Sequence, residues 1–241
     1  MVEPSGRALY VEIENWLRAR VLAGREGDIL PSEAELATRF SVSRMTARQA
    51  VQNLAKEGLV SRRRGAGTFI APPPLRRRSG PLMSFTSEMR RRGMAASSSL
   101  ITAELRKATV AEAEALRVPV DGRVVSIARL RLADGVPIAV ERTALPSGCA
   151  PVLADDLETG SLHDSLNALG REPSTAITWI SARIATSAEA KLLLLAPRSA
   201  VLVERRVISD QNDLPLEFTE TAYHSERYVI DALFTTELPE R

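Results

Sequence analysis

Two residue patterns in this 241-residue chain carry chemistry. The first is a run of polar and cationic side chains at helical spacing. Ser43, Arg44, Thr46, Arg48, Gln49, Gln52 and Lys56 all turn outward if Ala47, Ala50, Val51 and Leu54 turn inward. Such a helix face fits the major groove of DNA, where Arg takes guanine O6 and N7 and Gln takes adenine N6 and N7. The second pattern is Arg129 and Arg131, two residues apart in a β-prone run. Alternation puts them on one sheet face with Val125 and Ile127, roughly 7 Å apart at ~3.3 Å per residue, a spacing suited to a doubly charged or bidentate anion. The plain alternatives are a solvated helix face for the first pattern and a surface ion-pair ladder with Glu141 for the second.

The elements that must hold the first pattern can be read from their caps. Leu9, Ile13, Trp16, Leu17 and Val21 form the stripe of an amphipathic helix that Gly24 and Gly27 end. Ser32 and Glu35, after Pro31, have capping-box spacing for a short second helix with Leu36 and Phe40 inward. Ser43 caps a third helix, and Gly58 is placed to stop it in a left-handed conformation. Two helices joined by so short a turn predict a helix-turn-helix. The following run, 59–70, reads as a hairpin wing. Arg62, Arg63 and Arg64 supply counter-charge for phosphates there, and Gly65 and Gly67 let the backbone lie close to the duplex.

Residues 72–81 break the composition with four prolines and a second Arg triplet, and predict an extended linker. Whether Arg76, Arg77 and Arg78 touch DNA backbone or form a solvated hinge is left open by their types alone. Beyond them, strand-like and helix-like pieces alternate: strands at 99–105, 123–132, 136–143, 176–184, 201–209 and 216–224, with helices opened by Thr109, Ser161 and Thr186. Hairpin-linked strands with interspersed helices predict an α+β domain with a mainly antiparallel sheet. The turn at Ala133-Asp134-Gly135 decides where Glu141 points. A two-residue loop pairs Ala128 with Glu141 and leaves the carboxylate on the far face. A three-residue loop with a bulged Gly135 pairs Ile127 with Glu141 and brings it to the arginines, and this register is the expected one. Ser161 adds a hydroxyl and the free N–H groups of a helix start. Glu217, Thr219, Thr221 and Tyr223 share one face of the last strand.

Composition narrows the field. Residues 1–80 hold 14 Lys/Arg against 8 Asp/Glu, whereas 81–241 hold 18 against 22, so a basic head precedes an acidic remainder. Cys149 is the single cysteine, and no apolar run or leader pattern marks a membrane span or signal peptide, so a cytoplasmic protein is expected. With two histidines and no metal-ligand spacing, no metal and no cofactor are expected. The lack of a phosphate-binding Gly loop or a nucleophile elbow argues for a sensor rather than an enzyme. A ligand-independent architectural DNA-binding protein is the remaining alternative.

The motifs taken together resemble two known modules. Leu30-Pro31-Ser32-Glu33-Ala34-Glu35-Leu36, Ser43 to Ala50, and Glu57-Gly58-Leu59-Val60 through Gly65-Ala66-Gly67-Thr68-Phe69 resemble the winged helix of the GntR regulators. Phe85-Thr86, Arg129 to Ile138 with Glu141, Gly160-Ser161-Leu162, and Pro215-Leu216-Glu217 with Tyr223 and Tyr228 resemble the UTRA effector domain of the HutC subfamily, which has a chorismate-lyase-like fold. The chain departs from the pattern at Ala34, where many members carry Arg, and at His224 and Glu226, where relatives usually have Arg and Asp. The resemblance implies a winged helix-turn-helix over 1–71, a linker over 72–81 and an effector-binding and dimerisation domain over 82–241. It implies a homodimeric repressor on a short palindromic operator of double-stranded DNA, released by a small anionic effector such as a sugar phosphate. DNA contacts are then expected from Ser43, Arg44, Thr46, Arg48, Gln49, Arg62, Arg64, Gly65 and Gly67. Effector contacts are expected from Thr86, Arg129, Arg131, Glu141, Ser161, Glu217 and Tyr223, with a phosphate near Arg129, Arg131 and Ser161.

Overall fold

The computed structural model describes residues 6–63, 66–72, 74–78 and 82–232. They divide between Leu75 and Arg76 into two compact units, each with its own core. In the first unit, α1 (Gly6–Ala23), α2 (Glu33–Arg39) and α3 (Arg44–Lys56) enclose Ile13, Leu17, Leu36, Ala47, Ala50, Val51 and Leu54. The caps fall where their residue types require. Ser32 Oγ accepts from Glu35 N while the Glu35 carboxylate accepts from Ser32 N, a closed capping box. Ser43 Oγ accepts from Thr46 N, and Gly58 follows α3 at φ +71°. Strands β1 (Ile29–Leu30), β2 (Val60–Arg63) and β3 (Gly67–Ile70) form a small antiparallel sheet in the order β1-β3-β2, so the wing hairpin is present.

The second unit is one six-stranded sheet, antiparallel throughout, in the order β5-β6-β7-β10-β9-β8. Its strands are β5 (Ala96–Lys107), β6 (Arg123–Ala133), β7 (Val136–Pro146), β8 (Pro173–Ile184), β9 (Ala200–Asp210) and β10 (Pro215–His224). On one face, Val125, Ile127 and Leu145 pack with a 3-10 helix (Ser147–Ala154) and α6 (Leu162–Ala168). On the other, Val140, Val201, Val203 and Ala222 pack with α7 (Ser187–Leu192), while Val124 and Ala144 pack with Leu116 of α5 (Val110–Leu116). Helix α4 (Phe85–Arg91) precedes the sheet. The expected linker is structured in part: β4 (Leu75–Arg78) pairs with β11 (Tyr228–Asp231). Arg76 bonds Asp231, and Arg77 makes an ion pair with the buried Glu204. This stretch is therefore a strand bonded to the second unit rather than a free, solvated hinge.

The β6–β7 register corrects the sequence reading. The turn has two residues, Asp134 and Gly135, both at positive φ (48° and 75°), as a tight hairpin of matching twist needs. Ala133 faces Val136, so near the turn the hairpin follows the two-residue alternative. Between Arg131 and Leu132 the register slips by one as Ile138 bulges, and Glu141 comes to face Arg129 instead of Ile127. The carboxylate reaches the arginine face by a bulge in the strand rather than by a longer loop. Asp134 tolerates its left-handed conformation because its Oδ1 accepts from Ala95 N at 2.8 Å.

A Cβ added at Gly135 meets nothing within 4 Å, so Gly135→Ala carries only a backbone cost. It is expected to lower the stability of the second unit by about 1 kcal/mol. Urea unfolding measures this, and an unchanged midpoint would contradict the turn geometry.

Candidate functional site

In the first unit, Arg44 and Arg48 stand exposed on α3, and neither forms an ion pair among the described residues. They are positioned by the cap: Ser43 Oγ and Thr46 Oγ1 lie 2.9 Å apart, which fixes the first turn. Gln49 is turned along the helix, donating to Asn53, which in turn donates to Glu14. Arg62 is tied back to Glu33 at 2.7 Å, which links the wing to the start of α2 and leaves less of its charge for phosphate. Gly67 sits at φ +117° at the start of β3. Arg64 and Gly65 lie outside the described residues. Exposed Met45 in the first turn of α3 was not singled out from the sequence; in a major groove its natural partner is a thymine methyl group.

The second unit contains a narrow cleft, partly open to solvent. It is lined by Ser84, Phe85, Thr86, Arg129, Arg131, Glu141, Leu162, His163, Arg206 and Glu217. Arg129 and Arg131 are each only 3% exposed, so they are no surface ladder. Arg129 Nη2 donates to Glu141 Oε1 at 2.6 Å and Nη1 to the Leu157 carbonyl. Arg131 donates to Ser98 Oγ at 2.8 Å and lies over the Phe85 ring at 4.5 Å, while its Nε has no partner. Burial holds the Arg131 guanidinium down to about 10, since removing water penalises its charge. Burial alone would raise the Glu141 carboxyl, but the Arg129 and Arg131 charges outweigh it and hold it down at about 2.

Across the floor, Thr219 donates to Glu217, and His163 Nε2 stands 3.2 Å from Glu217 Oε2. Burial acts to raise the Glu217 carboxyl, and His163 with Arg206 more than offsets it, so the group stays below the ordinary range. Ser161 caps α6 by accepting from Asp164 N, and its hydroxyl lies 3.5 Å from Ser84 Oγ, the cap of α4. The first turns of both helices thus meet at the cleft. Five of the seven expected effector residues (Thr86, Arg129, Arg131, Glu141 and Glu217) line it, while Ser161 does not and instead neighbours the lining residues Ser84 and Leu162. Tyr223 does not line it. Its hydroxyl donates to Glu204 at 3.0 Å, and its ring stacks on Tyr228 at 4.0 Å.

Arg206 and His163 were missed by the sequence reading. Arg206 alternates with Glu204 and Ile208 along β9, a legible pattern, but only the sheet order reveals that this face is shared with Arg129. Nothing in the spacing of His163 singles it out. Among the described residues no group of His, Cys, Asp and Glu could hold a metal ion, and no helix is long and apolar enough to cross a membrane.

Comparison with known proteins bears on both units. Residues 7–70 match the model for bacterial regulatory proteins of the gntR family, and residues 91–229 match the UTRA domain. The chain is 34% identical over 223 residues to the HTH-type transcriptional repressor NagR of Bacillus subtilis, spanning 91% of this chain and 92% of that one. It is 31% identical over 216 residues to the HTH-type transcriptional repressor PhnF of Mycolicibacterium smegmatis, spanning 89% and 88%. The crystal structure of PhnF from Mycobacterium smegmatis superposes with a TM-score of 0.65 at 29% identity, covering 93% of this chain and 99% of that chain.

Glu141→Gln leaves the buried Arg129 charge without its partner and is expected to destabilise the second unit by about 3 kcal/mol. Because the folded carboxyl of Glu141 lies below its unfolded value, its contribution is full above about pH 4.5 and is lost as pH falls toward 2. Thermal unfolding from pH 7 to pH 3 should therefore show a smaller acid loss for the variant. Equal acid slopes would contradict the assigned role of the pair.

Proposed function

The chain belongs to the gntR family of bacterial regulatory proteins and carries a UTRA domain, which makes it a DNA-binding transcription regulator, and we propose that it is a repressor released from its operator by a small anionic metabolite bound in the cleft. The observation that carries the effector half is the set of buried guanidinium groups of Arg129 and Arg131 facing one cleft. Buried Arg side chains are the residues of choice for carboxylate and phosphate, which they take bidentately. The relatives named as repressors support the direction of control. The ligand acts only through its different affinity for the DNA-bound and free states. In this reading the protein works in the cytoplasm on chromosomal DNA and catalyses no reaction. By the same reading residues 1–71 bind DNA and 82–241 bind the effector and dimerise, while the connecting stretch 72–81 joins the effector unit through β4.

The DNA half rests on the exposed, unpaired Arg44 and Arg48 at the start of α3, with the wing residue Gly67 beside the groove. Ser43 and Thr46 shape the first turn, and Gln49 and Arg62 act after release from Asn53 and Glu33. Arg64 and Gly65 complete the wing contact.

The homodimer is supported by β8. This twelve-residue strand is the sheet's last, its outer edge unpaired among the described residues, with Ile177 and Trp179 exposed on one face and Ile180 and Ile184 on the other. A long apolar edge of this kind is a template for another strand, and a two-fold axis beside it would pair β8 with its copy.

In fluorescence anisotropy with duplex from its own promoter region, Arg48→Ala should weaken binding about ten-fold or more with an unchanged melting temperature. Arg131→Gln should bind DNA normally and lose release by sugar phosphates or organic acids. Undiminished release would misplace the effector site. Trp179→Lys combined with Ile180→Lys should yield a monomer by light scattering, and a persistent dimer would remove β8 from the interface.

A further inference from the structure

We propose that the cleft is a two-pole site: its ligand carries two separated anionic groups on a hydroxylated or aminated skeleton, and Arg206 receives the second. This rests on the anion-cleft reading above and specifies its ligand. In the sheet, Arg129 of β6 faces Glu141 of β7, which faces Thr221 of β10 and then Glu204 of β9. The adjacent row runs from Ile127 through Thr143 and Thr219 to Arg206. Arg206 therefore stands three strands across from the Arg129–Arg131 wall, ~14 Å away along the backbone at ~4.8 Å per strand. Both walls line the same cleft, with Glu141 and Glu217 between them.

Arg206 differs from the other buried cations around it. Arg129 has Glu141, Arg131 has Ser98, and Arg77 has Glu204. Arg206 is 8% exposed and makes no hydrogen bond or ion pair among the described residues, and its Nε is fully enclosed without a partner. The carboxylates whose fields reach it are already engaged, Glu204 by Arg77 and Tyr223, Glu217 by Thr219 and His163. The fields of Tyr223, Glu204 and Glu217 offset the cost of burying this charge but give it no hydrogen bond, and an anionic ligand group is the partner that would supply one. A metabolite with one anion would engage the Arg129–Arg131 wall and leave Arg206 as it is. Glu217 Oε2 has His163 Nε2 at 3.2 Å and no other partner among the described residues, and this carboxylate lies between the poles. It can accept from a hydroxyl or ammonium group on the bridging skeleton. Sugar-acid phosphates and hydroxy-dicarboxylates share this chemistry.

The test is calorimetric titration of the full-length protein with two matched pairs: glucose 6-phosphate against 6-phosphogluconate, and glycerol 3-phosphate against 3-phosphoglycerate. Each pair adds one carboxylate to a phosphorylated skeleton. At least one second member should bind ten-fold or more tighter than its partner, which separates a sugar acid from a shorter hydroxy acid. Arg206→Gln should abolish that gain and leave the first member's affinity within two-fold, while Arg206→Lys should keep part of it. Unliganded Arg206→Gln should melt within a few degrees of the unsubstituted protein, because Arg206 makes no direct bond there, whereas a structural Arg206 would give a markedly lower temperature. Equal binding within both pairs overturns the two-pole site and leaves the anion cleft standing. A gain that survives Arg206→Gln, with a lowered melting temperature, assigns Arg206 to structure. Failure of all four probes to bind overturns this inference together with the cleft reading it rests on.

Discussion

Placing guanidinium groups inside a protein is costly unless something negative shares the space. The second unit is built around that constraint. Arg129 and Arg131 leave the hydrophobic alternation of β6 and point into the interior, where Glu141 is brought opposite Arg129 by a bulge. One carboxylate faces two cations and neutralises only one. The remaining charge, with that of Arg206, opens toward a solvent-accessible cleft that Glu217 and His163 also line. The proposed anionic effector would meet in this cleft guanidinium groups already held in place by the fold.

The neighbouring polar network explains how the cleft keeps its shape. Glu204, in the same sheet row as Arg129 and Glu141, holds Tyr223 on one side and Arg77 on the other. Tyr223 stacks on Tyr228, whose hydroxyl donates to Glu88 of α4, and Arg92 joins Glu88 to the Arg76 carbonyl of β4. Helix α4 supplies Phe85 and Thr86 to the cleft. Strand β4 is therefore bonded, through Glu204 and Glu88, to both the sheet and the helix that border the cleft.

Much of this was legible in the sequence because it rests on local rules. Caps at Ser32, Ser43, Thr109 and Thr186 are set by a hydroxyl and a carboxylate three residues on or by a hydroxyl alone, and all four helices begin there. The alternation that put Arg129 and Arg131 on one face, and Glu217 with Thr219, Thr221 and Tyr223 on another, is equally local. What depends on long-range pairing was not legible. The Ile138 bulge cannot be read from the turn residues, and it reverses the outcome that a two-residue turn alone would give. Arg206 joins Arg129 only because β10 and β9 lie beyond β7, an order set by packing. The Arg triplet after Pro74 read equally as a DNA-backbone contact or a solvated hinge, because β11, the strand it pairs with, lies some 150 residues later.

The account stands on a coupling between two separate sites, and coupling of that kind is reciprocal. Operator affinity measured by anisotropy with and without a saturating anionic ligand gives one ratio. Affinity for that ligand, measured by calorimetry with and without operator, gives the other. The prediction is that both ratios are equal and well above one, with ligand and operator each weakening the other. A ligand that binds equally well to the free and the operator-bound protein would contradict the proposed control.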